Sequence, residues 1–246
     1  MIRIELAGVP AEIRCRYPQS EDFLRDYETD KEPLLYIEPT DEDLERIQAN
    51  FDRMAEAEGN APKRYSRRFL ENNAIHALLA EALVQHNVLL MHGSALCMDG
   101  EGYIFTAVSG TGKSTHTRLW REAFGERVWM INDDKPLLRI ESDGVTVYGT
   151  PWDGKHRLSR NASAPLKAIV LLTRSETNHI EPLDRSRVFP EVYRQCYASA
   201  QPETMRRILQ LEQTLLQHAE CYRLGCNMEP DAALTAWRGM NPDTTR

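Results

Sequence analysis

Tyr103-Ile104-Phe105-Thr106-Ala107-Val108-Ser109-Gly110-Thr111-Gly112-Lys113-Ser114-Thr115 is the stretch whose reading decides the fold. Tyr103, Ile104 and Phe105 make a short apolar run that favours a strand. Ser109-Gly110-Thr111-Gly112 breaks it, and Lys113-Ser114-Thr115 opens a helix. A strand, a glycine-rich turn and a helix N-terminus in that order cradle phosphate. Successive backbone N–H groups point inward and the helix dipole favours an anion there. Lys113 would reach the β- and γ-phosphates of a nucleotide as a mobile point charge, and the Ser114 hydroxyl would serve Mg²⁺. Ser109, Gly110, Thr111, Gly112 and Thr115 supply the rest of the cradle. The pattern asks for glycine at 107 and the chain has Ala107, which lacks glycine's freedom at positive φ. The plain alternative is a strand–turn–helix corner with a surface lysine, but the strand-to-helix setting favours nucleotide binding.

Carboxylates belong opposite such a loop, and Asp133-Asp134 follow the apolar strand Val128–Ile131. One of the pair can hold Mg²⁺ opposite Ser114, while the other accepts the proton of an attacking hydroxyl. Adjacent carboxylates raise each other's pKa, which brings one of them toward a base near neutral pH. Asn132-Asp133-Asp134-Lys135-Pro136 is also good turn chemistry, yet the phosphate loop favours the functional reading. His92 ends another apolar strand, where it could face the phosphates or pack as a buried histidine with a backbone partner. The loop Trp152–Arg160 gathers Lys155, His156, Arg157 and Arg160. Arg157 or Arg160 could neutralise transition-state charge and Lys155 could touch phosphate, or the loop could be solvated surface.

A chain of 246 residues holds one large domain, or a core with a smaller appendage. Its 41% hydrophobic and 27% charged residues are those of a globular protein. A net charge of −7 with no basic run argues against nucleic acid as a partner. No apolar run approaches the roughly 18 residues that span a bilayer, so no membrane partner is expected. The first residues have no cationic leader, and the five cysteines form no C-x-x-C pair. Both features suit a reducing cytoplasm, with the thiols as small hydrophobes.

Residues 1–87 read as an α+β region with a structural or partner-binding role. A hairpin over Ile2–Cys15 turns at Gly8-Val9-Pro10, and Leu34–Ile37 is a further strand. A helix capped by Thr40 presents Leu44, Ile47, Phe51 and Met54, and a second, from about Ser66 to Gln85, presents Leu70, Ala74, Leu78 and Leu79. From Val88 onward, short strands alternate with helices. Strands are expected at Val88–Met91, Ala95–Met98, Gly102–Thr106, Val128–Ile131, Leu137–Ile140, Val145–Tyr148, Leu166–Leu172 and Cys221–Leu224. Helices are expected after Gly112, over Glu203–His218 and from Pro230. Hairpins mixed with helices predict an α/β fold with a mixed sheet.

Met91-His92-Gly93, Gly102-Tyr103-Ile104 and Ser109-Gly110-Thr111-Gly112-Lys113-Ser114 together resemble the catalytic domain of HPr kinase/phosphorylase. Asp133-Asp134 fall where that family carries paired aspartates, and the loop and the pair also resemble ATP-dependent phosphoenolpyruvate carboxykinase, which shares the fold. The resemblance is specific over roughly residues 88–135 and loose to 175. Residues 1–87 do not resemble the HPr kinase regulatory domain, and no Arg-Gly stretch follows the aspartates. The resemblance implies a P-loop kinase core over residues 88–246, with ATP on Ser109–Thr115. It places Mg²⁺ between Ser114 and one aspartate, the other aspartate as base toward a serine hydroxyl, and His92 at the reacting centre. Related kinases assemble into oligomers, so a homo-oligomer is possible.

Three activities compete on these residues. The first is an ATP-dependent kinase of a serine on a small protein or peptide. The second is a kinase of a small acidic metabolite, which the basic loop suits equally. The third is a nucleotide-binding module without turnover, disfavoured because a pure binder needs no base.

Overall fold

The computed structural model describes residues 1–242. Its backbone forms two compact units, Met1–His86 and the chain from Asn87 onward. Among the described residues no helix is long and apolar enough to cross a membrane, and all five cysteines are free.

In the first unit, β1 (Ile2–Leu6) and β2 (Val9–Ile13) form an antiparallel hairpin. Ala7 and Gly8 make the turn with φ of 49° and 75°. Two consecutive positive φ values match the right-handed twist of the strands. Val9 and Pro10, expected in the turn, belong to β2 instead, with Pro10 opposite Glu5. Strand β3 (Leu35–Ile37) adds parallel to β2. Helix α1 (Pro18–Leu24) had no clear signal in the sequence beyond a proline at its first turn. Helix α2 (Asp41–Ala57) begins with a capping box in which Thr40 and Asp43 satisfy each other's backbone N–H. Helix α3 (Arg67–Leu83) starts at Ser66. Leu44, Ile47, Leu70 and Ala74 pack together between α2 and α3. Met54 lies beyond that contact and is 59% exposed, while Ile75 takes the buried place expected for Leu78.

The second unit is built on a nine-stranded sheet. One limb runs β4 (Val88–Leu90), β8 (Leu137–Ile140), β9 (Val145–Tyr148), all antiparallel. The other runs β7 (Val128–Asn132), β5 (Ser94–Met98), β6 (Glu101–Thr106) on one side, and β12 (Glu220–Cys226), β11 (His179–Pro182) on the other. Strand β10 (Ser163–Arg174) joins the limbs. Its first residues pair antiparallel with β9, and the rest lies parallel between β6 and β12. The mixed sheet expected from the sequence is present.

Helices α4 (Lys113–Phe124) and α7 (Asp231–Met240) cover one face. The period-two apolar residues of that face, Leu96 and Met98, Tyr103 and Phe105, and Ala168, Val170 and Leu172, close on Trp120 and Leu119 of α4 and on Ala232, Ala233 and Ala236 of α7. Helices α5 (Arg185–Gln195) and α6 (Pro202–His218) complete the unit. Strand β11 and helix α5 were not foreseen. Pro190 inside α5 and the exposed, short β11 blunt both signals.

Candidate active site

Strand β6 ends at Thr106 and α4 begins at Lys113, so the glycine-rich turn spans the gap between them. Gly110 and Gly112 have φ of 78° and 121°, and a side chain there would meet nothing within 4 Å. Conformation, not space, demands glycine at both positions. Ala107 is not at positive φ, so the freedom it lacks is not used. Gly112 is the helix N-cap and no side chain caps α4. The first-turn N–H groups thus have no side-chain acceptor, the arrangement that suits an anion at a helix start. The Lys113 ammonium donates to the Ala107 carbonyl at 3.1 Å, and Thr111 Oγ1 donates to the Val108 carbonyl at 2.8 Å. Burial holds Lys113 below its ordinary pKa; Lys135 adds to this, and Asp134 and Asp133 oppose it.

Asp133 is 6% exposed and faces the start of α4. Ser94 donates to its Oδ1 and also meets Thr117 Oγ1 at 3.1 Å. Burial pushes the Asp133 carboxyl up, and the charge of Asp153 adds; hydrogen bonds from the Ser94 and Ser114 hydroxyls and the charge of His156 pull it back. The structure therefore brings Ser114 and Asp133 together, the two oxygens singled out for a metal ion.

The Asp-Asp corner is pinned by Asn132, which is fully buried. Its amide nitrogen donates to the Thr150 carbonyl at 3.2 Å, Thr150 Oγ1 at 3.0 Å and the Trp152 carbonyl at 3.1 Å. Its amide oxygen accepts from the backbone N–H of Asp134 at 2.8 Å and of Lys135 at 2.6 Å. This Asx turn directs Asp133 inward and leaves Asp134 partly exposed. Asn132 was read only as turn chemistry; the position of an Asn just before paired carboxylates is the signal that could have marked it.

Asp134 Oδ1 lies 3.4 Å from His92 Nε2 and 3.8 Å from the Lys135 ammonium. The other imidazole nitrogen, Nδ1, meets Gln195 Oε1 at 3.1 Å, and the His92 backbone N–H donates to the Gln195 carbonyl at 2.7 Å. Burial, Lys135 and Lys113 hold His92 below its ordinary pKa, against Asp134 and Gln195. Gln195 comes from the end of α5, and nothing local in the sequence links it to His92. Lys113, Lys135, Asp133, Asp134 and His92 form one cluster of interacting charges.

The loop after β9 contributes differently from expectation. Asp153 accepts from the backbone N–H of Asp133 at 3.0 Å, Gly154 at 2.7 Å and Ser159 at 2.8 Å, tying the loop to the corner. A Cβ on Gly154 would lie 2.8 Å from Asp133 Oδ2. The structure does not bring Arg157 into the cluster: it is exposed, at φ 48°, because the loop is drawn inward by Asp153 while its tip turns out. Lys155 is exposed too, and the Arg160 guanidinium lies 5.6 Å over the Trp129 ring.

Among the described residues no group of three or more His, Cys, Asp or Glu is arranged to hold a metal ion. Mg²⁺ does not need one, since it is ordinarily held by one or two carboxylates, waters and substrate phosphates. The hard oxygens of Ser114 and Asp133 fit that requirement.

No protein-family model and no curated protein matches the chain. Solved structures do match it. The HPr(Ser) kinase/phosphatase from Coxiella burnetii covers 64% of this chain and 99% of its own, at 13% identity and a TM-score of 0.36. The likeness is a distant one.

Proposed function

We propose that the second unit is an Mg²⁺–ATP-dependent phosphotransferase that delivers the γ-phosphoryl group to a serine hydroxyl of a small protein or peptide. The observation that carries this reading is the approach of Ser114 to Asp133 beside Lys113, with Asp134 and His92 adjoining. The sequence resemblance over residues 88–135 supports the serine acceptor.

The uncapped turn at Gly112 would take the phosphates, with Lys113 leaving the Ala107 carbonyl to meet them. Ser114 and Asp133 would hold the metal ion, which when bound neutralises charge on the transferred group. Asp133 is buried and committed to two hydroxyls, which suits a ligand better than a base. Asp134 is partly exposed and can meet an acceptor from solvent. It takes the proton that the hydroxyl loses as its oxygen bonds to the γ-phosphorus and the bond from phosphorus to the β-phosphate oxygen opens. His92 and Lys135 orient Asp134 from either side.

The test is ADP release with purified protein and fractionated cell lysate, followed by mass spectrometry of the acceptor. Lys113→Ala should abolish turnover. Asp134→Asn should bind ATP as wild type and turn over roughly a hundredfold more slowly or worse. Phosphorylated small metabolites in place of peptides would move the acceptor to the class that exposed Lys155, His156 and Arg157 also suit. ATP binding without turnover in any fraction would sink the enzyme reading in favour of a nucleotide-binding module.

A further inference from the structure

Strand β10 runs parallel to β6, with Leu171 opposite Thr106, the last residue of β6. Pairing with β12 carries β10 on to Arg174, opposite Cys226. Three residues of strand advance roughly 10 Å, so Arg174 stands beside the glycine-rich turn, past the end of the neighbouring strand. Its Nη2 donates to the Gly110 carbonyl at 2.7 Å. The guanidinium is exposed and pairs with no carboxylate among the described residues. An arginine has five donors, so most of its donors and its whole charge stay uncommitted at the rim of the loop.

The Gly110 carbonyl belongs to the planar Gly110–Thr111 peptide, whose opposite edge is the Thr111 N–H. That N–H donates to the Val108 carbonyl at 3.2 Å. Fixing one edge of a rigid peptide fixes the direction of the other. Gly110 has no side chain and sits at φ 78°, so the peptide is held by Arg174 on its carbonyl edge and by the Thr111 hydrogen bonds to Val108 on the other.

We propose that Arg174 is a positioning residue of the nucleotide site: it braces the Gly110–Thr111 peptide in the orientation from which the loop receives phosphate, and adds positive charge there. The inference rests on the phosphotransferase reading of the same loop. Arg174 acts on binding of the triphosphate, so its loss raises KM for ATP with little change in kcat at saturation.

Calorimetric titration of Mg²⁺–ATP into wild type, Lys113→Ala, Arg174→Ala and Arg174→Lys tests it. Arg174→Ala should weaken binding about tenfold, with an unchanged melting temperature because the side chain is exposed. Arg174→Lys, which keeps a donor and the charge, should recover most of the loss. Wild-type affinity in Arg174→Ala, with Lys113→Ala still deficient, overturns this inference and leaves the phosphotransferase reading standing. Failure of the wild type itself to bind ATP overturns both.

Discussion

Glu212 on α6 is fully buried, and its carboxylate has only the weak donor Cys196 Sγ beside it. Glu71 in the first unit makes the contrast. It is as deeply buried, but accepts from the Arg16 backbone N–H and the Ser20 hydroxyl, both at 2.6 Å. Burial pushes Glu212 from its ordinary 4.5 to about 7, with only the Cys196 thiol pulling back. A carboxyl whose pKa is raised by folding favours the folded state while it stays protonated. That advantage is complete below about 4.5 and is lost as pH rises through about 7. A shift of this size corresponds to about 3 kcal/mol once the group is ionised. Glu212→Gln keeps the shape and removes the titration. The stability gap between variant and wild type, from urea denaturation, should be about 1 kcal/mol at pH 5 and widen to about 3 kcal/mol above pH 7, always in favour of the variant. Parallel curves for the two proteins between pH 5 and pH 8 would refute the reasoning. Cys196, which Glu212 faces, follows Gln195, the partner of His92. The alkaline loss should therefore also loosen the imidazole's seat.

Two further perturbations address the corner itself. Asn132→Ala removes the amide that receives the Asp134 and Lys135 N–H groups and should cost about 2 to 3 kcal/mol in chemical denaturation. Its turnover should fall more than its ATP affinity, because Lys113 and the glycine turn are untouched. Gly154→Ala forces a Cβ to within 2.8 Å of Asp133 Oδ2 and 3.1 Å of the Asp133 carbonyl. It should raise the Mg²⁺ concentration needed for half-maximal activity while ATP affinity without metal stays constant; equal Mg²⁺ demand in variant and wild type would remove Asp133 as the metal ligand.

Much of the second unit was legible because its signals are local. Apolar runs closed by Asp99-Gly100 or Gly125 mark strand and helix ends whatever the tertiary context, and Asp99 and Gly100 do take the positive φ values that such a turn needs. The glycine turn was readable for the same reason, down to the two positions where positive φ requires glycine. What could not be read depends on pairing across the chain. Gln195 reaches His92 only because β4 and the end of α5 meet, at a bridge between Met91 and Cys196. Arg157 and Arg160 drew notice because they lie in a cluster of cations, whereas Arg174, which closes an ordinary-looking apolar strand, drew none. Its place at the phosphate turn follows from the register of β10 on β6, which no local pattern encodes. Asn132 and Asp153 looked like loop polarity, since a side chain that organises backbone N–H groups has the same composition as one that faces water.

Strand β10 bonds to β9 through its first residues and to β6 and β12 through the rest. Its partners are scattered along the chain, and the last of them, β12, ends only at Cys226. Contacts between segments this distant form slowly, because a long loop must close before any of them is rewarded. On a ribosome the glycine turn and its helix emerge well before the strand that completes their sheet. The setting of the glycine turn is thus among the last features of the molecule to mature, and a nascent or C-terminally shortened chain carries that motif without the scaffold that orients it.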